Sequence, residues 1–118
     1  QYCEYSPKRW TDVRVRGMPI VCSVSVTGLD KKGGTSLGRY VQVALRVISS
    51  SGHRYSVGPM ETSFEVEHVE EALEVVKRIH DAVREGGAER IIITFKIDHR
   101  LDKIEDMDYK VRRARSPP

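Results

Sequence analysis

The residues best placed to do chemistry lie at the end of an apolar run: Ile91 to Lys103 reads IIITFKIDHRLDK, turning after Ile97 into Asp98, His99, Arg100, Asp102 and Lys103. β-Branched and aromatic side chains suit a pleated, half-buried surface, so the segment predicts a strand whose tip carries carboxylate acceptors and cationic donors. Such a tip can pair the polar edge of a ligand. The same residues can equally form ion pairs at a solvated strand end, and pairs of that kind contribute little.

Other reactive arrangements are not indicated. His53, His68, His80 and His99 are scattered without metal-ligand spacing. No Ser-His-Asp or Cys-His set, Walker-type phosphate loop or paired-carboxylate arrangement stands out, so no catalytic residue, metal or cofactor is assigned. The GGTS stretch from Gly33 to Ser36 precedes a helix start and can offer backbone N–H groups to an anion, as any capped helix start does.

The elements that must position these residues fit one domain. At 118 residues with 39% hydrophobic content, the chain can bury about two thirds of its unfolded surface around a single core. Twenty Lys and Arg against seventeen Asp and Glu give a net charge of +3. The signs are interspersed rather than gathered into a basic, aromatic-bearing groove, so no nucleic-acid partner is indicated. No apolar run reaches the ~20 residues of a membrane span, and no signal-peptide core is visible, which predicts a cytoplasmic protein with no membrane partner. Two cysteines, Cys3 and Cys22, imply neither a disulfide framework nor a zinc site; Cys22 reads as a small buried apolar residue.

Residues 1–17, with Tyr2, Tyr5 and Trp10, lack a sustained period and read as an extension, flexible or packed on a neighbour. From Pro19 to Thr27 the parity splits into Ile20, Cys22, Val24 and Val26 on one side and Val21, Ser23, Ser25 and Thr27 on the other, which predicts a strand. After a Gly-rich turn, Thr35 or Ser36 can cap a helix with Leu37, Tyr40, Val41, Ala44, Leu45 and Ile48 on its apolar stripe, terminated by Ser49 to Gly52. His53–Val57 and Thr62–Glu67 predict a hairpin-like strand pair broken by Gly58 and Pro59. A second helix follows, with Glu70 and Glu71 in its first turn, a stripe of Val69, Ala72, Leu73, Val76, Ile79 and Val83, and Gly86-Gly87 as its stop. Arg90–Asp98 is the last strand. The order β-α-β-β-α-β predicts an α+β, ferredoxin-like fold: a four-stranded antiparallel sheet with two helices on one face. The domain spans residues 18–111, with a charged tail at 112–118.

If the apolar parity faces the helices, the other face carries Val21, Ser23, Ser25, Glu65, Ile92, Thr94 and Lys96. These side chains are small and weakly charged for a solvated face, which suggests that it meets a subunit, a ligand or both. An ordinary semi-polar open face is the alternative.

Taken in order, MPIVCSVSVTGL, TSLGRYV, YSVGPMET and ITFKIDHRLDK resemble the thiamine-binding protein family, also known as the MTH1187/YkoF-like or UPF0045 family, over Met18 to about Val111. The resemblance implies a ferredoxin-like domain that pairs its sheets face to face, commonly as a tetramer built from two dimers. It implies thiamine or its hydroxymethylpyrimidine part as ligand. Ser36 then stands at the family's helix start, Pro59, Met60 and Thr62 in its Pro-Met-x-Thr turn, and Asp98, Arg100 and Lys103 in its strand-end motif. Glu61 stands where the family often has glycine, and His99 where it often has a second acid.

A flat aminopyrimidine needs a hydrogen-bond acceptor at its edge and an apolar cover over its ring. Glu61, Glu65 or Asp98 can accept from the amino group, and Ser23, Ser36 or Thr62 can complete the edge. Met60 with Tyr40 or Tyr55 can cover the ring, although Tyr40 and Met60 also suit plain packing roles. Arg100 can bind ligand or pair with Asp98 or Asp102 between subunits. The reading is a non-catalytic, homo-oligomeric binding protein rather than an enzyme. The alternative is an oligomeric module responsive to phosphate or sulfate, held by Arg100, Lys96 and the Gly33–Ser36 loop.

Overall fold

The computed structural model describes residues 18–31 and 38–117. The expectations for the N-terminal extension, for the loop and cap around Gly33–Ser36 with Leu37, and for Pro118 lie outside those residues. The elements are β1 (Ile20–Leu29), α1 (Gly38–Ser50), β2 (Tyr55–Val57), β3 (Thr62–Val66), α2 (Val69–Glu85), β4 (Arg90–Asp98) and α3 (Met107–Arg115). The four strands form one open sheet in the order β2-β3-β1-β4, with every pairing antiparallel. The expected ferredoxin-like α+β fold is present.

Strand β1 alternates buried and half-buried residues along almost its whole length. Its apolar parity lies beside Phe64 and Val66 of β3 and beside Ile93, Phe95 and Ile97 of β4. The two helices bury this face, α1 through Tyr40, Ala44 and Ile48 and α2 through Ala72, Val75, Ile79 and Val83. Gly28 is required where the layers meet, because a Cβ there would stand 2.6 Å from the Tyr40 ring. Burial pushes the Cys22 thiol up to about 12, consistent with an inert core residue.

Local chemistry sets the element ends. The hydroxyls of Ser49, Ser50 and Ser51 each donate to the carbonyl three residues back, at 3.2, 3.1 and 2.6 Å. Gly52 and Gly87 take the positive φ values of 85° and 105° that glycine adopts freely. Glu71 accepts from the N–H groups of Glu67 and His68, at 3.0 and 2.9 Å, tying down the start of α2.

Several boundaries and faces differ from expectation. Strand β2 begins at Tyr55 rather than His53, because Arg54 turns into a buried charge cluster. Strand β3 stops at Val66, since Glu67 is drawn into the cap of α2. On α2, Leu73 and Val69 are exposed and Val75 is buried in their place; the 72, 75, 79, 83 spacing is the narrow stripe a sheet-facing helix needs.

The largest addition is α3, where the sequence analysis put the end of the domain and a charged tail. Asp106 caps it by accepting from the Tyr109 N–H at 2.8 Å, and Arg112, Arg113 and Arg115 lie in its last turn, favourable to the helix dipole. Its first residue is anchored on the sheet face opposite α1 and α2, where the Met107 N–H donates to Glu65. Arg54 lies 4.0 Å from both Glu65 and Asp106 and donates to Asp108 at 2.6 Å. Glu65 is 0% exposed, and a buried carboxylate persists only where donors compensate its desolvation. Replacing Arg54 by alanine leaves Glu65 without its cation. The expected outcome is a loss of about 3 kcal/mol in urea denaturation, with faster amide exchange at Met107 than at α2 positions.

Candidate functional site

Strands β2 and β3 are joined by a turn that holds the family-type Pro-Met segment. The Gly58 N–H donates to the Glu61 carbonyl at 2.9 Å. A Cβ on residue 58 would stand 2.7 Å from that oxygen, so the turn needs glycine at this point. The geometry pushes Met60 into solvent, 85% exposed, and leaves Glu61 half-buried at the start of β3.

Two recesses meet at Glu61. One is an apolar cleft of about 130 Å³ on the helix side, between α1 and the turn, where Val41, Leu45, Val57, Met60 and Thr62 stand around a floor of Val24. Val41 and Leu45 were expected on the buried stripe of α1, but Val41 is 48% exposed, because these positions flank the cleft instead of entering the core. Thr62 shares the Val24 side of the sheet. The other recess, about 500 Å³, lies on the opposite sheet face among Ser23, Glu61, Ser63, Lys96, Asp98 and Lys110. Ser56, Ser63, Ser23 and Lys96 form one row across all four strands, an unusually small-sided polar floor.

The charges in this second recess are balanced. Glu61 lies 3.3 Å from the Lys96 ammonium. A hydrogen bond from Ser23, reinforced by Lys96, holds the Glu61 carboxyl below the usual carboxylate range, so it is an anion and acceptor at neutral pH. Asp98 pairs with Lys110, which brings α3 to the rim. Among the described residues no group of three or more His, Cys, Asp or Glu side chains is placed to hold a metal ion.

The eight residues singled out from sequence therefore separate. Met60, Glu61 and Thr62 border the cleft, and Ser23, Glu61 and Asp98 line the open-face recess. Ser36 lies outside the described residues. Glu65 is sealed beneath α3. Arg100 clasps its own loop, donating to both oxygens of Asp102 at 2.7 and 2.6 Å and to Glu105 at 2.6 Å. Lys103 joins that clasp through Glu105 at 3.2 Å.

The two tyrosines are elsewhere. The Tyr40 ring is core and its hydroxyl donates to Asp30 at 2.7 Å, raising its pKa. Tyr55 packs against the core beside Phe64. Sequence reasoning missed Lys110 and Arg54. The only signal for Lys110 was the capped pattern Asp106-Met107-Asp108, which places it on the first turns of a helix; Arg54 carried none.

Fold and recesses together define a small ferredoxin-like domain with a ligand-sized hollow on each side of one strand-turn-strand corner. A family model described as thiamine-binding protein matches residues 22–115, and the chain belongs to that family. A UPF0045 protein of Clostridium perfringens is 35% identical over 80% of this chain and 97% of its own. Among solved structures, a domain of unknown function from Bacillus cereus is 35% identical with a TM-score of 0.72, covering 83% of this chain and 91% of its own. A Thermotoga maritima protein provisionally assigned to thiamine biosynthesis or salvage is 28% identical with a TM-score of 0.69, covering 82% and 99%.

The clasp at the end of β4 carries a pH prediction. Chiefly through the hydrogen bond from Arg100, Asp102 is held at about 2, below its ordinary 3.8. A lowered folded-state pKa adds stability above the ordinary value, and that stability is lost as pH falls toward the folded value. Asp102→Asn should therefore lower the urea midpoint at neutral pH, and its deficit against the parent chain should shrink as pH drops from 3.8 to about 2.

Proposed function

We propose that this chain is a non-catalytic binding protein for thiamine or a hydroxymethylpyrimidine relative, acting as a homo-oligomer in the cytoplasm, with a tetramer of paired dimers as the family resemblance implies. The observation that carries the reading is the ionised Glu61 carboxylate, held by Ser23 and Lys96 on the open face of the sheet at a residue that also borders the apolar cleft. An aminopyrimidine is flat and apolar on its faces and presents an amino donor at its edge. The cleft supplies aliphatic walls with Met60 as an adaptable cover, Glu61 supplies the acceptor, and the Thr62 hydroxyl can serve a ring nitrogen. At about 130 Å³ the cleft is smaller than the ~300 Å³ of ordinary drug-sized sites. It suits one ring, leaving a thiazolium outside, near the negative charge of Glu61.

A second reading rests on Lys96 and Lys110 in the open-face recess, which would suit an anion-responsive module. It is the weaker one, because Glu61 and Asp98 already neutralise both ammonium groups. The reading also places Ser23 as a support for Glu61, and leaves Glu65 and Arg100 as structural residues.

Calorimetric titration with thiamine, hydroxymethylpyrimidine and thiamine phosphate, with sulfate as control, tests this directly. Micromolar binding of a pyrimidine compound is expected. Glu61→Gln should weaken it by about tenfold or more, since a hydrogen bond to a charged group contributes about 1.5–3 kcal/mol, and Leu45→Trp should block it by filling the cleft. No heat from any pyrimidine compound, with sulfate altering the subunit mass, would move the assignment to the anion-responsive module.

A further inference from the structure

Strand β1 outlasts its neighbour β3. Its pairing with β3 ends at Val24, opposite Thr62, whereas its pairing with β4 continues to Leu29. From Ser25 onward β1 therefore has a partner strand on one side only. One bond fixes which backbone groups look into the gap. The Glu65 N–H donates to the carbonyl of Arg54, just before β2, at 3.0 Å. An extended chain turns its N–H and C=O groups to alternate sides, so Glu65 and Ser63 face β2 while Thr62, Phe64 and Val66 face β1. Their partners Val24, Cys22 and Ile20 face β3 in return. Val26 and Gly28 come next in that series and point past the end of β3, where neither has a hydrogen-bond partner among the described residues.

This open edge gives onto the apolar cleft. Val24, Ser25 and Val26 line the cleft in succession, which side chains alone cannot do, since Ser25 points to the opposite face of the sheet. The cleft therefore reaches the backbone of β1. Val26 is 7% exposed, and a buried N–H or C=O without a partner is costly. Within one extended residue the two groups stand side by side and aim the same way, as they do toward a paired strand. Two outward-facing residues are too few to seat another strand. The aliphatic walls at Val41, Leu45 and Val57 suit the faces of a flat ring instead.

We propose that the N–H and C=O of Val26 form a paired backbone contact that reads the edge of a planar nitrogen heterocycle. The N–H donates to a ring nitrogen and the C=O accepts from an amino group on the neighbouring atom. The ligand class is thus a single flat ring with an acceptor and a donor on adjacent atoms, and an aminopyrimidine is one member. For thiamine itself the assignment rests on the reading above and adds the residue that selects the ring edge. Glu61 then takes the second N–H of the same amino group, so the two contacts add and do not compete. A ring carrying methyl in place of amino would leave the Val26 carbonyl unpaired in an apolar cleft, which is the costly outcome.

Amide NMR on the isotope-labelled full chain tests this with bare aminopyrimidine as probe and methylpyrimidine, its isostere without the donor, as control. Aminopyrimidine should move the Val26 amide proton downfield and slow its exchange with solvent by about tenfold at saturation; methylpyrimidine should do neither. Val26→Pro removes the donor without touching the β1–β4 ladder, because the Val26 N–H faces away from β4. It should weaken hydroxymethylpyrimidine binding by about tenfold. If that variant does not fold, the Val26 amide of the parent chain decides. Hydroxymethylpyrimidine binding with the Val26 amide unmoved would overturn the inference and leave the thiamine reading standing. A shifted Val26 amide with aminopyrimidine, but no heat from thiamine or hydroxymethylpyrimidine, would uphold the inference and end that reading. Silence of the Val26 amide toward every ring would overturn the inference whatever binds elsewhere.

Discussion

Strand β1 is flanked on both sides, by β3 and by β4, so its period-two alternation fixes what both neighbours must present to each face. Ile20, Cys22, Val24 and Val26 commit one face to the helices; Val21, Ser23, Ser25 and Thr27 commit the other to something polar or intermittent. A slip of one residue against either neighbour would carry an apolar row into water. The parity of this strand therefore sets the core, and it also determines that Ser23, Ser63 and Lys96 share a floor on the far side.

The far side is then divided by one buried anion. Glu65 belongs to the open face by parity, yet it is fully enclosed, because the first turn of α3 and the Arg54 guanidinium cover it. Burying a carboxylate is costly unless donors replace its water, so the position of Glu65 ties α3 to one end of the sheet. The recess beside it exists because α3 covers that end and stops. Its rim is drawn by Lys110 reaching back from α3 to Asp98. Sheet parity and a single compensated charge thus account for where the open-face hollow lies.

How much of this was legible in the sequence follows from which interactions are local. The strand parity, the β4 limits at Arg90 and Asp98, the serine-glycine stop of α1 and the Gly86-Gly87 stop of α2 depend on periodicity and turn chemistry, and all were readable. The α3 helix was also written locally, in the Asp106 cap, the acid of its first turn and the arginines of its last, but five of its nine residues are charged and only Met107 is buried, so its apolar stripe is too short to draw notice. Glu65 and Arg100 are a different case. An acid on an alternating strand and an arginine after a strand end look available for a ligand. What commits them is a partner over forty residues away for Glu65, the Met107 N–H, and for Arg100 the fork of Asp102 with Glu105. Both are choices among several nearby opposite charges, which residue types alone do not rank.

Glu61 shows how a departure from a family pattern can be accommodated. In a turn where the family resemblance implies glycine, a carboxylate would be an awkward exposed charge beside an apolar cleft. The closeness of Gly58 to the carbonyl of residue 61 shows that the tight part of this turn lies at residue 58, so position 61 is free to carry a side chain. That side chain leaves the helix side and crosses to Ser23 and Lys96, which hold it ionised and oriented at the boundary of both recesses. Pre-orientation matters energetically, since a fixed acceptor loses less entropy on binding than one recruited from solvent. On the proposed reading, Glu61 makes the site more selective for cationic or donor-bearing rings than a glycine turn would be, because a neutral ring without a donor would leave a partly desolvated carboxylate unsatisfied.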